Sequence, residues 1–320
     1  MKKIAVLTSG GNAPGMNAAI RAVVRSAVAW GVAVVGVQRG YSGLLEGDLR
    51  EMDVTSVSGI INRGGTILRT SRCPAFHEAA SRARAVEVLT ARGIEGLIVI
   101  GGSGSSQGAY HLFAETGFPV LVVPSTIDND VAGCDYSIGF DTAVHTAVEC
   151  IDKIRDTADS HERIFVIEVM GREAGFLGLE TALAGGAEAA LLPEFPWDLE
   201  ELCRKISAWE QRGKRSFIIV VAEGAGSAAE ISAHIAAHTG AETRATLLGH
   251  LQRGGIPTVD DRILASRTGA AAVQALLEGA KGQTVGVIGR EVALTPLDQV
   301  CRTKKKPDPE LFALVNSLAC

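Results

Sequence analysis

Two apolar runs, each ending in a polar turn, constrain this chain more than any other stretch: GLIVIGGSGSSQGA, residues 96–109, and VVPSTIDND, residues 122–130. Leu97 to Ile100 is a short, continuous apolar run bounded by glycine, the pattern of a strand buried on both faces of a parallel sheet. Gly101 to Gly108 then leads into a helix-like stretch starting near Ser105. Backbone N–H groups left unpaired at a helix N-terminus, with the positive end of the helix dipole, favour an anion, and glycine lets the backbone approach it closely. In the second run Thr126, Asp128 and Asp130 alternate, so an extended backbone would aim all three side chains at one face, a candidate active site. The spacing Gly102-x-Gly104-x-x-x-Gly108 has one residue too many for the dinucleotide fingerprint, and no Gly-Lys-Ser/Thr ending makes a P-loop. TIDND also reads as a turn with capping aspartates, and the glycines as ordinary loop punctuation.

A chain of 320 residues, 47% of them hydrophobic, can bury a large core and carries a length prior of two domains. No apolar stretch approaches the roughly 20 residues of a membrane span, and the apolar run in MKKIAVLTSGG breaks too soon for a signal segment. The expected location is cytoplasmic, with no membrane partner. The cysteines lack C-x-x-C spacing, which signals neither a zinc site nor a disulfide framework. A net charge of −5 argues against a general nucleic-acid binder, while local arginine clusters suit a small phosphorylated ligand.

Strand-like runs at Ile4 to Thr8, Val32 to Val37, Leu97 to Ile100 and Val120 to Val123 alternate with helix-like stretches such as Met16 to Ala29 and Ala79 to Ala91. A second series follows at Ile164 to Val169, Ala189 to Leu192 and Phe217 to Val221. This is α/β alternation around parallel sheets, in two similar doubly wound halves. VLTSGGNAPGMNAA and VIEVMGREAGFLGL both read strand, Gly-x-x-x-Gly, helix; LIVIGGSGS and IIVVAEGAGS form a second such pair. If the halves are duplicates, their loop edges are expected to line a cleft, the usual ligand place in open α/β folds. The basic run Lys304 to Lys306 reads as a solvated loop.

The ordered motifs TSGG-x-APGMNAAIR, INRGGT, PSTIDND, IGFDTA, IDKIRDTA-x-SHER, EVMGR, GHLQRGG and DRILASR span essentially the whole chain. In them the chain closely resembles the bacterial ATP-dependent 6-phosphofructokinases. The resemblance implies the phosphofructokinase fold, with an ATP-binding domain of residues 1–138 plus 252–305 and a sugar-phosphate domain of residues 139–251 plus 306–320. It also implies a homotetramer, ATP as donor, fructose 6-phosphate as acceptor and Mg2+ as helper. By the resemblance, Asp128 is the base for the sugar 1-hydroxyl, Thr126 and Asp130 flank it, and Arg172 reaches the transferred group. Gly11, Tyr41, Arg72, Cys73 and the stretch Gly102, Ser103, Gly104, Ser105 would hold ATP. Arg163, Arg244, His250 and Arg253 match the sugar-phosphate pocket, the first two expected to cross from a neighbouring subunit, and Met170, Gly171 and Glu223 would hold the sugar. Planar guanidinium forks suit a phosphate dianion. Arg21, Arg25, Arg155, Glu188, Arg212, Lys214 and Arg215 match an effector site for ADP or phosphoenolpyruvate. Arg21 and Arg25 lie four apart on one helix, where like charges cost about 0.2–0.5 kcal/mol that an anion would relieve.

Departures from the family pattern cluster near the implied reaction centre. Ser103 replaces the aspartate of GGDG that relatives use for magnesium, Asn12 the aspartate of GGDAPG, and Ser125 the glycine of PGTIDND. Val54 stands where some relatives carry an effector-site arginine. Cys73 and His77 stand where relatives often present an aromatic and an arginine to the nucleotide. Gly104 matches ATP users, whereas pyrophosphate users carry aspartate there, and position 125 lacks the lysine of the latter. Losing one preorganised electrostatic group costs about 10²- to 10³-fold in rate. Two readings therefore stand: a 6-phosphofructokinase of reduced activity, or a catalytically impaired regulatory paralogue that binds sugar phosphate or effector. The metal ligands stay unassigned.

Overall fold

The computed structural model describes residues 1–319. In chain order the first elements are β1 (Lys3–Ser9), α1 (Met16–Ala29), β2 (Ala33–Val37), α2 (Gly40–Glu46), β3 (Leu49–Met52), α3 (Ala79–Ala91), β4 (Gly96–Gly101), α4 (Ser103–Thr116) and β5 (Val120–Pro124). There follow α5 (Phe140–His161), β6 (Ile164–Val169), α6 (Phe176–Ala184), β7 (Ala189–Leu191), α7 (Leu199–Gln211), β8 (Phe217–Ala222), α8 (Ala228–Thr239) and β9 (Thr243–Leu247). The chain ends with α9 (Val259–Leu277), β10 (Gln283–Ile288), β11 (Glu291–Pro296), α10 (Leu297–Arg302) and α11 (Pro309–Leu318).

The chain divides into two compact units, Met1–Thr142 with Arg253–Lys305, and Ala143–Gln252 with Lys306–Cys320. Unit 1 carries a seven-stranded sheet in the order β11-β10-β5-β4-β1-β2-β3, and unit 2 a four-stranded sheet in the order β7-β8-β6-β9. Only the outermost pairs of the larger sheet, β10 with β11 and β2 with β3, run antiparallel. All pairs in the smaller sheet are parallel. The echo seen in sequence is present in three dimensions: β1 pairs in parallel with β4, and β6 likewise with β8. The halves nonetheless differ in size, because unit 1 adds strands on both flanks.

Central β4 is buried along its whole length, as a strand covered on both faces must be. Each aliphatic side chain so removed from water contributes about 1.5–3 kcal/mol. In α1 the buried residues Met16, Ile20, Val23 and Ala27 recur at helical spacing, and the small buried residues Ala19 and Ala22 let α9 pack closely against the helix at Gly269. Unit 2 has its own core, where Val166, Ile219 and Val221 of the sheet pack with Leu202 and Ile206 of α7 and Ile231 and Ile235 of α8.

In unit 1 the chain reverses direction across the sheet at β1, whose neighbours are β2 on one side and β4 on the other. Parallel strands diverge there and their C-terminal loops separate, which opens the crevice where doubly wound sheets take ligands.

Candidate active site

Three loops of unit 1 leave the C-terminal ends of neighbouring strands β5, β4 and β1, about 4.8 Å apart from strand to strand. From β4 the chain enters α4 at Ser103, two residues earlier than the apolar pattern predicts, with Gly102 in extended geometry and no side chain capping the helix. The first intrahelical bond runs from Ser106 N–H to the Gly102 carbonyl at 3.0 Å, so the N–H groups of Ser103, Gly104 and Ser105 have no intrahelical acceptor. Glycine is required beneath them: a Cβ at Gly101 would lie 2.5 Å from Ser105 Oγ and 2.6 Å from the Ser9 carbonyl. Tyr41, expected to meet a nucleotide, is instead buried at 5% exposure. It stacks on Phe76 at 3.9 Å and donates its hydroxyl hydrogen to the Ser105 carbonyl at 2.8 Å. Its contribution is to hold the first turn of α4 in place.

The alternation of Thr126, Asp128 and Asp130 does not lie on an extended backbone. The strand stops at Pro124, Asp128 N–H donates to Thr126 Oγ1 at 3.2 Å, and Asn129 adopts a left-handed φ of 51°. A short polar side chain tolerates that conformation because it finds local partners: Asn129 Oδ1 accepts from Ser137 N–H at 3.0 Å, and its amide donates to the Asp135 carbonyl at 3.1 Å. The TIDND stretch is therefore a locked turn. It keeps Asp128 at 4% exposure and leaves Asp130 half-buried, with a buried Oδ1 that no hydrogen-bond donor meets among the described residues. Lys305, expected in a solvated loop, donates to Asn129 Oδ1 at 3.0 Å and to the Asp135 carbonyl at 2.5 Å, bracing the same turn. Nothing local in a basic run signals such a contact, 176 residues away along the chain.

Two of the atypical residues have structural duties. Ser125 is fully buried and its hydroxyl donates to the Ile138 carbonyl at 3.3 Å, so it adds no bulk to the loop surface. Asn12 donates its amide to the Arg253 carbonyl at 3.0 Å, a bond that an aspartate could not make. Arg253 itself lies in unit 1 against Gly11, where any Cβ would overlap its guanidinium, and donates to the Asn12 carbonyl at 3.5 Å. The INRGGT segment is tied down by Asn17, whose amide donates to the Arg63 and Gly64 carbonyls at 3.0 and 3.1 Å and whose oxygen accepts from Ile67 N–H. Further along that loop Arg72 is exposed, Cys73 is half-buried and His77 is exposed.

In unit 2, Glu223 follows β8 and its Oε1 accepts from the backbone N–H groups of Gly171 and Arg172 at 3.2 and 2.6 Å. Gly171 has φ 137° and Arg172 φ 54°, a strained pair after β6 that the Glu223 carboxylate holds. Gln252, fully buried, accepts from Met170 N–H at 2.9 Å. It stands inside the quoted GHLQRGG motif, yet only the structure reveals its support of the β6 loop. His250 is exposed on the same short turn, Gly249–Arg253.

Arg163 and Arg244 stand at the other end of this sheet. Arg163 precedes β6, and Arg244 pairs with Phe165 near the start of that strand. The two arginines share the Glu242 carboxylate, Arg163 at 2.9 Å, and the hydrogen bond from Arg163 holds that carboxyl below its usual range. Of the expected effector residues, Arg155 donates to the Gly185 and Gly186 carbonyls at 2.5 and 2.9 Å. Buried Glu188 pairs with Lys214 at 2.8 Å, so these three gather on the segment before β7. Arg212 and Arg215 are exposed nearby in sequence, while Arg21 and Arg25 ride on α1 in unit 1.

Two doubly wound, mainly parallel sheets with an uncapped glycine-rich helix start beside an acidic turn define an α/β protein of the phosphate-handling class. Residues 3–276 match the family described as Phosphofructokinase. The chain is 56% identical over 321 residues to ATP-dependent 6-phosphofructokinase 1 of Thermus thermophilus, covering 100% of both proteins. It is 52% identical over 318 residues to ATP-dependent 6-phosphofructokinase 1 of Clostridium perfringens, covering 99% of each. Among solved structures, phosphofructokinase from Saccharomyces cerevisiae superposes with a TM-score of 0.87 at 35% identity, over 99% of this chain and 46% of the longer yeast chain. The chain belongs to the phosphofructokinase family. No described helix is long and apolar enough to cross a membrane.

Proposed function

We propose that this chain transfers the γ-phosphoryl group of ATP to the 1-hydroxyl of fructose 6-phosphate, the glycolytic reaction that makes fructose 1,6-bisphosphate. The observation that carries the reading is the adjacency of the three strand-end loops. They put a buried carboxylate, Asp128, beside an open helix N-terminus at the switch point of a sheet that matches ATP-dependent relatives over its full length. Asp128 accepts the proton of the attacking hydroxyl. Thr126 and Asp130 flank it, and the N–H groups of Ser103, Gly104 and Ser105 receive phosphate oxygens. Gly11, Arg72 and Cys73 bound the nucleotide, with Tyr41 acting from beneath. Arg172 meets the transferred group, and Met170, Gly171 and Glu223 hold the sugar, with His250 and Arg253 toward its phosphate. Phosphoryl transfer asks mainly for alignment and charge neutralisation, so one positioned base and several donors suffice.

The donor set fits a magnesium ion carried by the nucleotide. The buried, unbonded Oδ1 of Asp130 is a hard oxygen ligand, and Ser103 adds a neutral one. When bound, the cation supplies neutralisation of the phosphate oxygens. Ser103 in place of a carboxylate lowers the local negative charge and with it the hold on that ion. ATP as the donor is supported by the full-length match to ATP-dependent relatives, and Gly104 leaves open space at the start of α4, where a Cβ would meet nothing within 4 Å.

A homo-oligomer in which Arg163 and Arg244 serve a neighbouring copy is the matching proposal, supported by their place at the opposite end of β6 from the Met170 loop of their own chain. ADP or phosphoenolpyruvate is the proposed effector at the Arg155, Glu188 and Lys214 segment. The test is a coupled assay of fructose 1,6-bisphosphate formation from ATP, Mg2+ and fructose 6-phosphate. Activity that falls about 10²- to 10⁴-fold in Asp128→Ala supports the assignment. No product at high enzyme concentration would falsify it and leave the non-catalytic, regulatory reading.

A further inference from the structure

The geometry points to a divalent transition-metal site on unit 2, formed by Glu200, His234 and His238, that staples the first turn of α7 to the last two turns of α8. Their ligand atoms lie within 4.8 Å of one another. The Nε2 atoms of His234 and His238 stand 3.3 and 3.2 Å from the same oxygen, Glu200 Oε1. Zinc bonds to histidine nitrogen and carboxylate oxygen are about 2.0–2.1 Å, so neighbouring vertices of a tetrahedral shell are about 3.3 Å apart. Both observed edges match that spacing.

The hydrogen bonds around the rings set which nitrogen can ligate. His238 Nδ1 is 2.8 Å from the His234 carbonyl, which only accepts, so Nδ1 carries a hydrogen and Nε2, facing Glu200, is the nitrogen left to bind a metal. A backbone carbonyl holding the far nitrogen is the usual outer support of a metal-ligating imidazole. His234 Nε2 is itself buried and makes no hydrogen bond among the described residues despite its nearness to Glu200. Two imidazoles stacked at 3.9 Å would repel if both were protonated, whereas one dication between them and the carboxylate satisfies all three lone pairs.

Two nitrogens and one carboxylate oxygen suit Zn2+ and not Mg2+, which demands oxygen ligands in octahedral array. His234 and His238 are four apart on α8, one turn, and the core-facing residues Ile231 and Ile235 fix the helix rotation that presents them. Glu200 is fixed because Asp198 caps α7, accepting from Glu200 N–H at 2.8 Å. Solvent completes the shell, since the Glu200 and His238 side chains are 54% and 43% exposed. None of these residues belongs to the loops assigned to the reaction, so the site is a clamp and not a second catalytic centre.

The full chain, stripped of metal, is titrated with Zn2+ against a chromophoric chelator, with Mg2+ as the control ion, and its Co2+ form is examined by absorption spectroscopy. One Zn2+ per chain, a rise in the thermal midpoint, and a Co2+ spectrum of nitrogen–oxygen type are expected. His234→Ala, His238→Ala and Glu200→Gln should each weaken Zn2+ binding by at least about 10-fold, the lower bound seen even for outer supports of metal ligands. Binding unchanged in the double histidine variant, a thiolate charge-transfer band that puts the ion on cysteine, or no binding at micromolar Zn2+ would each overturn the proposal.

Discussion

Arg163 provides the sharpest test, because its place in unit 2 separates two ways of building the sugar-phosphate site. From Arg163 to Met170 the chain runs through β6 in seven extended steps, about 23 Å at 3.3 Å per residue, beyond the reach of an arginine side chain. The arginine therefore does not reach the Met170 loop of its own chain, proposed to hold the sugar, and pairs with Glu242 instead. If it serves a neighbour, Asp128→Ala and Arg163→Ala damage different chains of each shared site. When the two inactive proteins are unfolded together and reassembled at equal amounts, a site is intact only if its Asp128 comes from one parent and its Arg163 from the other. Random cyclic assembly makes that about a quarter of all sites. The mixture, assayed at limiting fructose 6-phosphate, should recover about a quarter of the native rate, while either parent refolded alone recovers almost none. A mixture no more active than the average of its parents would show that both groups act from one chain. Native activity in Arg163→Ala alone would show that the Glu242 pair is all the arginine does.

Ser103→Asp should raise kcat at saturating Mg-ATP by up to about 10²-fold by restoring a carboxylate at the cation, and an unchanged kcat would remove Ser103 from the reaction centre. Asn12→Asp should bring no such gain, because it loses the donor to the Arg253 carbonyl, worth about 1 kcal/mol of stability measured by denaturant unfolding; a faster enzyme would mean that position 12 carries charge to the site after all. Burial pushes the Asp261 carboxyl up to about 6 from 3.8, against the hydrogen bonds it accepts from Thr142 and Gly139. Folding thus favours its protonated form, a contribution fully present below pH 3.8 and lost as pH rises through about 6. The stability of the native chain relative to Asp261→Asn should therefore fall by about 3 kcal/mol between roughly pH 4 and 7. A pH-independent difference would refute the shift.

Local pattern determined most of the scaffold. Apolar runs predict β1, β2, β4 to β8 and helices α1 and α3 to within a residue or two, because a strand buried on both faces and a helix with one apolar stripe each carry their period in the chain itself. The order of motifs determined the family, and the glycines after β4 pointed to a helix start close to where α4 begins, at Ser103. Edge strands β3, β9 and β11 escaped notice, since exposed positions along them relax the apolar run, and so did the internal strand β10, Gln283–Ile288, whose run QTVGVI is broken by polar residues and a glycine.

What the tertiary structure alone decided was direction and company. The left-handed Asn129 turned an apparent strand at 126–130 into a locked turn, and Lys305 arrived to brace it. Ser125 and Tyr41 faced inward, Asn12 became a clasp for Arg253, and Arg163 fell at the far end of the strand that leads to Met170. Glu200 met His234 and His238 only because α7 and α8 pack on one sheet. Periodicity reports how one residue relates to the next few, whereas these contacts depend on which strands become neighbours and which way the backbone twists as it leaves them. Those are outcomes of packing the whole chain, and no local window contains them.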